Sequence, residues 1–195
     1  AVVLRIVFNP AIHYSKGEKL FDSGKFSAAA EQFFAAGDYK HAASKAKRAT
    51  AAQSYADGEA KFNAGDYTAA SALFTAAAGY EDAAERVRQS QLGVHYKAAE
   101  TAFANGDYPS AISEFEQAEN FQDAAEQVLA STYALADENE KKEEYAKAIE
   151  EFDSIGDYSD AKERIFAIGL ARLNANDFSL AEKAFETGGS SQSED

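Results

Sequence analysis

An all-α fold, an α-solenoid of five helical hairpins with about ten helices, is predicted by three observations on the 195-residue sequence. The first is an aromatic residue followed by Ala at three and Phe at seven, in five copies: Phe26, Ala29 and Phe33; Tyr67, Ala70 and Phe74; Tyr108, Ala111 and Phe115; Tyr145, Ala148 and Phe152; Phe178, Ala181 and Phe185. Those offsets set all three side chains on one helical face, with the small residue where a neighbouring backbone approaches. The second is spacing: successive copies lie 41, 41, 37 and 33 residues apart, so their lengths change in fours. Four residues are about 400° of helix, and each deletion removes one turn while nearly keeping the buried face. The third is the absence of any strand-period alternation.

The elements follow in order. Asn9-Pro10 reads as an N-cap with Pro in the first turn, and starts the first helix. The first helices are predicted near 10–23, 40–64, 81–105, 122–142 and 159–175, and the second near 26–36, 67–78, 108–118, 145–154 and 178–187. The first helices carry their own signature, Tyr14, Tyr55, Tyr96, Tyr133 and Phe166, each with Gly or Ala three residues on; Phe21, Phe62, Phe103 and Leu173 follow at seven, where Glu140 breaks the series. Gly24, Gly65, Gly106 and Asn176 mark the turn inside the hairpin, with Glu143 in the fourth copy. Tyr39, Tyr80, Phe121 and Tyr158 open the next hairpin, and Asp82, Asp123 and Asp160 beyond them are expected to cap its first helix, with His41 as the exception.

The chain thus divides into an apolar N-terminal segment (1–9), repeats near 10–38, 39–79, 80–120, 121–157 and 158–187, and a polar tail (188–195) with flexible-linker composition. Met is absent even at the first position, so the chain is read as processed or as a piece of a longer one. Segment 1–9 is too short to cross a bilayer, which takes roughly 20 residues; it is read either as the end of a removed membrane helix or as a cover for the first repeat.

Charge narrows the function classes. The net charge is −14, which argues against nucleic acid, because phosphate binding needs a basic face. Residues 1–98 carry 12 basic and 10 acidic side chains and residues 99–195 carry 7 and 23, so the C-terminal half is read either as attracting basic partners or as merely well solvated. The one dense basic run, Lys40, Lys45, Lys47 and Arg48, is read as solubilising charge or as a contact with anionic headgroups or wall polymer. Cys is absent, and His13, His41 and His95 have no second His at ligand spacing, so no metal, cofactor or catalytic residue is expected and the chain is read as a non-enzyme. Glu143-Glu144 and Glu150-Glu151 point in different directions on their helices and read as solvated faces.

One polar constellation recurs. Four residues after each Tyr of the first-helix signature stand Glu18, Glu59, Glu100 and Asp137, so Tyr14/Glu18, Tyr55/Glu59, Tyr96/Glu100 and Tyr133/Asp137 are i, i+4 neighbours in four successive hairpins. The pattern has two readings: contacts for a basic or amine-bearing peptide, or packing tyrosines and solvated carboxylates copied by duplication.

The Gly-Asp-Tyr turns at 65–67 and 106–108, the Ala at three and Phe at seven beyond them, and the small residues Gly17 and Gly58 seven before the turn Gly resemble the tetratricopeptide repeat (TPR) family over roughly residues 10–187. The family's Pro at the end of the second helix is missing, and Tyr39, Tyr80, Phe121 and Tyr158 stand near its place. With Pro10-Ala11-Ile12, the variant is similar to Gly-Asp-Tyr-type repeats of membrane-anchored Gram-positive bacterial proteins. The resemblance implies a right-handed solenoid whose first helices line a concave groove. The implied function is a protein–protein interaction scaffold or adaptor that binds a peptide or protein segment there; the alternative is a structural spacer or stalk. It also implies a membrane tether through a missing N-terminal segment, with the repeats outside the cytoplasm; a cytoplasmic location and the oligomeric state stay open.

Overall fold

The computed structural model describes residues 9–190. Among them are ten α-helices and no strand: α1 (Pro10–Asp22), α2 (Phe26–Ala35), α3 (Ala42–Asn63), α4 (Tyr67–Ala76), α5 (Ala83–Ala104), α6 (Tyr108–Gln117), α7 (Ala124–Lys141), α8 (Tyr145–Ser154), α9 (Ala161–Asn174) and α10 (Phe178–Ser190). They form five hairpins, each a first helix and a second. The chain divides into two compact units, 1–93 and 94–195. In the first, α1 packs on α2, α2 on α3 and α3 on α4; in the second, α6 packs on α7, α7 on α8, and α8, α9 and α10 on one another.

The deletions of four fall where the spacing places them: α3 and α5 have 22 residues, α7 has 18 and α9 has 14. The first helices of hairpins two to five begin two residues later than predicted, because Lys40, Glu81, Gln122 and Ser159 adopt positive φ of 50°, 45°, 53° and 55°. A left-handed residue cannot join a right-handed helix. At the other end, α10 continues to Ser190, so Gly188, Gly189 and Ser190 are helical and do not belong to a flexible tail. A neighbouring surface supplies the order that composition lacks, since a Cβ at Gly188 would lie 3.4 Å from Ile165. Segments 1–8 and 191–195 lie outside the described residues. Among the described residues no helix is long and apolar enough to cross a membrane.

Phe33, Phe74, Phe115 and Phe152 of the second helices are at most 2% exposed and fill the hairpin centres. The small residue of the first helix makes room for them. A Cβ at Gly58 would stand 2.8 Å from the Phe74 ring and one at Gly17 the same distance from Phe33. Ala99 and Ala136, both fully buried, hold the equivalent places in hairpins three and four, so the site takes one methyl at most.

The turn inside each hairpin divides its work between two residues. In Gly65-Asp66, Gly65 takes φ 74°, and the Asp66 amide donates back to Lys61 O at 3.0 Å, which closes the end of α3. The Asp66 carboxylate then accepts from Ala69 N at 3.3 Å and caps α4. That bond, with Lys61 beside it, holds Asp66 below the usual carboxylate range. Asp107 and Asp177 repeat the cap.

Glu143 takes the glycine's place in hairpin four at φ 62°. Since a residue with a Cβ costs roughly 1 kcal/mol in this region, Glu143→Gly is expected to stabilise the chain by about 0.5–1 kcal/mol. The check is a urea titration; an unchanged or lower midpoint would contradict it.

Candidate partner-binding face

The four tyrosines of the predicted ladder stand in the joints between hairpins. Tyr14 is 7% exposed and meets Phe33 and Tyr39 edge-on, with ring centres 5.7 and 5.6 Å apart. Tyr55 packs on Phe74 and Tyr80, Tyr96 on Phe115 and Phe121, and Tyr133 on Phe152 and Tyr158. Each therefore touches its own second helix and the aromatic that opens the next hairpin. Such edge contacts add about 0.5–1.5 kcal/mol to the burial itself.

Three of the four hydroxyls also cross the joint. Tyr55 donates to Asp82, Tyr96 to Asp123 and Tyr133 to Asp160, each 27 residues on. The Asp123 and Asp160 side chains make no capping bond, contrary to the sequence expectation. The backbone explains why. A capping residue is normally extended, as Asn9 is at ψ 95°, whereas Asp123 and Asp160 have ψ of 25° and 29°, which aims their carboxylates elsewhere. The bond to Asp82, with burial behind it, pushes the Tyr55 hydroxyl up to about 12. Bonds from Tyr96 and Gln127 hold Asp123 below its ordinary range.

Three of the four predicted carboxylates pair across the same joint at the same 27-residue offset. Glu18 meets Lys45 at 2.8 Å, Glu59 meets Arg86 Nε at 2.5 Å and Asp137 meets Arg164 Nη2 at 2.8 Å. The bond from Lys45 lowers Glu18, and bonds from Lys141 and Arg164 lower Asp137. The fourth differs. Gln127 stands where the other hairpins have a cation and turns to Asp123 at 2.9 Å, while Glu100 pairs with Lys97 of its own helix at 2.7 Å and stays 43% exposed.

The break at Glu140 has a cause in this scheme. Arg86 lies 4.2 Å over the Phe62 ring; in hairpin four, Glu140 replaces that ring and accepts from Arg164 Nη2 at 2.6 Å. Arg164 also donates to the Tyr133 hydroxyl at 3.2 Å and lies over Phe152. Partial burial opposes its charge, but its bonds to Asp137 and Glu140 prevail and raise its pKa.

Three of the four residues of the basic run are drawn into the first joint. Lys40 lies over Tyr14 and Tyr39, Lys45 binds Glu18 and Arg48 lies 5.4 Å over Phe21. His13 and His95 bridge their hairpins to Gln32 and Glu114, at 3.0 and 2.8 Å. Among the described residues no group of three or more His, Asp or Glu is placed to hold a metal ion. Of the paired carboxylates, Glu150 turns to Lys183 and Glu144 to Lys147, but Glu151 does not belong to a solvated face: it is half-buried and accepts both of its bonds from the buried Asn139.

Two features were missed in the sequence. Ser90 and Ser131 are fully buried where α3 has Ala49, and each hydroxyl satisfies itself on the carbonyl four residues back, at 2.7 Å. The constant 27-residue offset of Tyr–Asp and acid–cation pairs, within a repeat of varying length, was the available signal for the joints. No protein-family model matches the chain, and no curated protein matches it.

Proposed function

We propose that the chain is a non-enzymatic protein-interaction scaffold that holds a basic peptide or protein segment against its first helices. The resemblance to tetratricopeptide repeats supports this reading, as does the acidic balance of residues 99–195, with 23 acidic against 7 basic side chains. The observation that carries it is Glu100. Glu18, Glu59 and Asp137 are tied to the next hairpin, whereas Glu100, as exposed as Glu18, is tied along its own surface helix to Lys97. An i, i+3 surface pair is worth only about 0.5 kcal/mol or less, so a cationic partner displaces Lys97 at little cost.

The test uses the folded chain beside Glu100→Lys, both immobilised against a native envelope extract. Wild type is expected to capture a specific basic partner, and Glu100→Lys to retain a tenth of it or less, with the melting temperature unchanged. Equal capture by both would remove Glu100 from the reading. No capture by either would favour the second reading, a stiff spacer, for which the ion pairs and tyrosine bonds across successive joints speak directly.

A further inference from the structure

The joint after hairpin three has the aromatic frame of the joint after hairpin two. In the earlier joint the Tyr55 ring stands 5.4 Å from Phe74 and 5.7 Å from Tyr80, and Phe62 stands 5.2 Å from Tyr67. In the later one the Tyr96 ring stands 5.4 Å from Phe115 and 5.7 Å from Phe121, and Phe103 stands 5.4 Å from Tyr108. The interplanar angles agree as well: 65° and 73°, 58° and 59°, 70° and 64°. The residue laid against the frame differs. Arg86 lies 4.2 Å over Phe62 and 5.3 Å over Phe74 and binds Glu59. Its counterpart is Gln127, which turns to Asp123, and among the described residues no cation lies over Phe103 or Phe115. Phe21, at the same place in hairpin one, lies under Arg48.

The third joint thus keeps the ring and the carboxylate of a guanidinium site without supplying the guanidinium. Phe103 is partly exposed, Glu100 is 43% exposed, and Lys97, which pairs with it from the same helix, is 57% exposed. The surrounding field is one-signed, since residues 98–140 carry ten acidic and no basic side chains. A ring face beside a carboxylate in that field selects a cation. The second joint shows which kind: a planar guanidinium lies flat on the ring while its N–H groups reach the carboxylate, a combination that an ammonium cannot reproduce. We propose that this joint is an arginine seat, in which an arginine side chain of the bound segment lies over Phe103, displaces Lys97 and pairs with Glu100, as Arg86 does with Phe62 and Glu59. The proposal rests on the scaffold reading for its occupant. That reading needs only positive charge at Glu100, and the seat narrows it to arginine.

The probe is a glycine-arginine-glycine tripeptide capped at both ends, with lysine and citrulline counterparts, titrated into the isotope-labelled full chain in about 0.1 M salt and followed by the amide resonances of α5. Arginine is expected to bind, and lysine, which keeps the charge but loses the stacked plane, about fivefold more weakly. Citrulline, which keeps the plane but loses the charge, is expected not to bind. Phe103→Leu keeps an apolar side chain beside Tyr108 and is expected to bring arginine down to the lysine level. Gln127→Arg supplies the guanidinium from within the chain, so it is expected to raise the urea midpoint and to weaken arginine binding about tenfold or more. Gln117→Arg, at an exposed position of α6, makes the same charge change and is expected to leave binding within about twofold. Equal affinity for arginine and lysine, citrulline binding as tightly as arginine, or an arginine preference that survives Phe103→Leu would overturn the proposal. So would equal losses in Gln127→Arg and Gln117→Arg, a lowered midpoint in Gln127→Arg, or no binding at all. If the seat falls while Glu100→Lys still loses its capture from the extract, the scaffold reading stands on charge alone. If the tripeptides behave as expected and the extract yields no partner, the seat survives as a guanidinium site and the scaffold reading falls.

Discussion

Phe74→Ala is expected to lower the unfolding free energy of the unit that holds it by about 3–5 kcal/mol, the usual cost of emptying a fully buried phenylalanine site. Phe74 is 0% exposed, its ring centre lies 5.4 Å from that of Tyr55, and Arg86 stands 5.3 Å above it. Glycine at 58 lets the ring reach the backbone of α3, so the cavity left by Ala has a rigid wall on that side and collapses poorly. The loss reaches beyond one hairpin, because Tyr55 leans on Phe74 and on Tyr80 of the next turn. In a repeat stack whose stability is a sum of hairpin and interface contributions, a weakened interface also separates neighbours that would otherwise melt together. Urea unfolding followed by circular dichroism should show both the lower midpoint and a shallower transition. Phe34→Ala supplies the comparison: Phe34 is 63% exposed and its removal should change stability by no more than about 0.5 kcal/mol. A loss below about 1 kcal/mol for Phe74→Ala would contradict the packing described.

The contrast between neighbours Phe33 and Phe34 shows how much of the fold was legible. Position decides burial: Phe33 lies seven residues after Phe26 and is 1% exposed, while Phe34, one residue on, faces out. The helical period also fixed the effect of each four-residue deletion, which reappears as the 22, 18 and 14 residues of α3, α7 and α9. The joints between hairpins were less legible because they join residues 27 apart through side chains whose local roles mislead. Asp123 and Asp160 precede helices and look like caps; only their ψ of 25° and 29° reveals that the carboxylates turn to Tyr96 and Tyr133. The left-handed Glu81, Gln122 and Ser159 were likewise hidden, since none has the Gly or Asn chemistry that marks such a turn. The candidate site was legible as a pattern of Tyr and acid, but not as a set of partners. The sequence around Glu59, which is tied to Arg86 of the next hairpin, and Glu100, which is tied to Lys97 of its own helix, does not name those partners.

Arg164→Ala is expected to cost about 2–3 kcal/mol, far more than an ordinary surface ion pair. The guanidinium is 26% exposed and the Asp137 and Glu140 side chains 28% each, so the cluster is largely shielded from solvent. Removing the cation leaves two carboxylates facing one another across a turn of α7, in a half of the chain that is already strongly acidic, and strips the contact over Phe152 at 5.1 Å. Lys141 remains on Asp137 but does not reach across the joint, being on the same helix. A double-mutant cycle of Arg164→Ala with Asp137→Ala separates the ion pair from the packing. The coupling is expected at about 1–2 kcal/mol, and it should shrink only modestly in 1 M salt because the partners are partly buried. Lys162→Ala, whose partner Asp157 is 86% exposed, should cost about 0.5 kcal/mol or less and lose that in salt. If Arg164→Ala behaved like Lys162→Ala, the joint between hairpins four and five would be held by its apolar contacts alone. The stiff-spacer reading, which depends on polar locks at successive joints, would then lose its support.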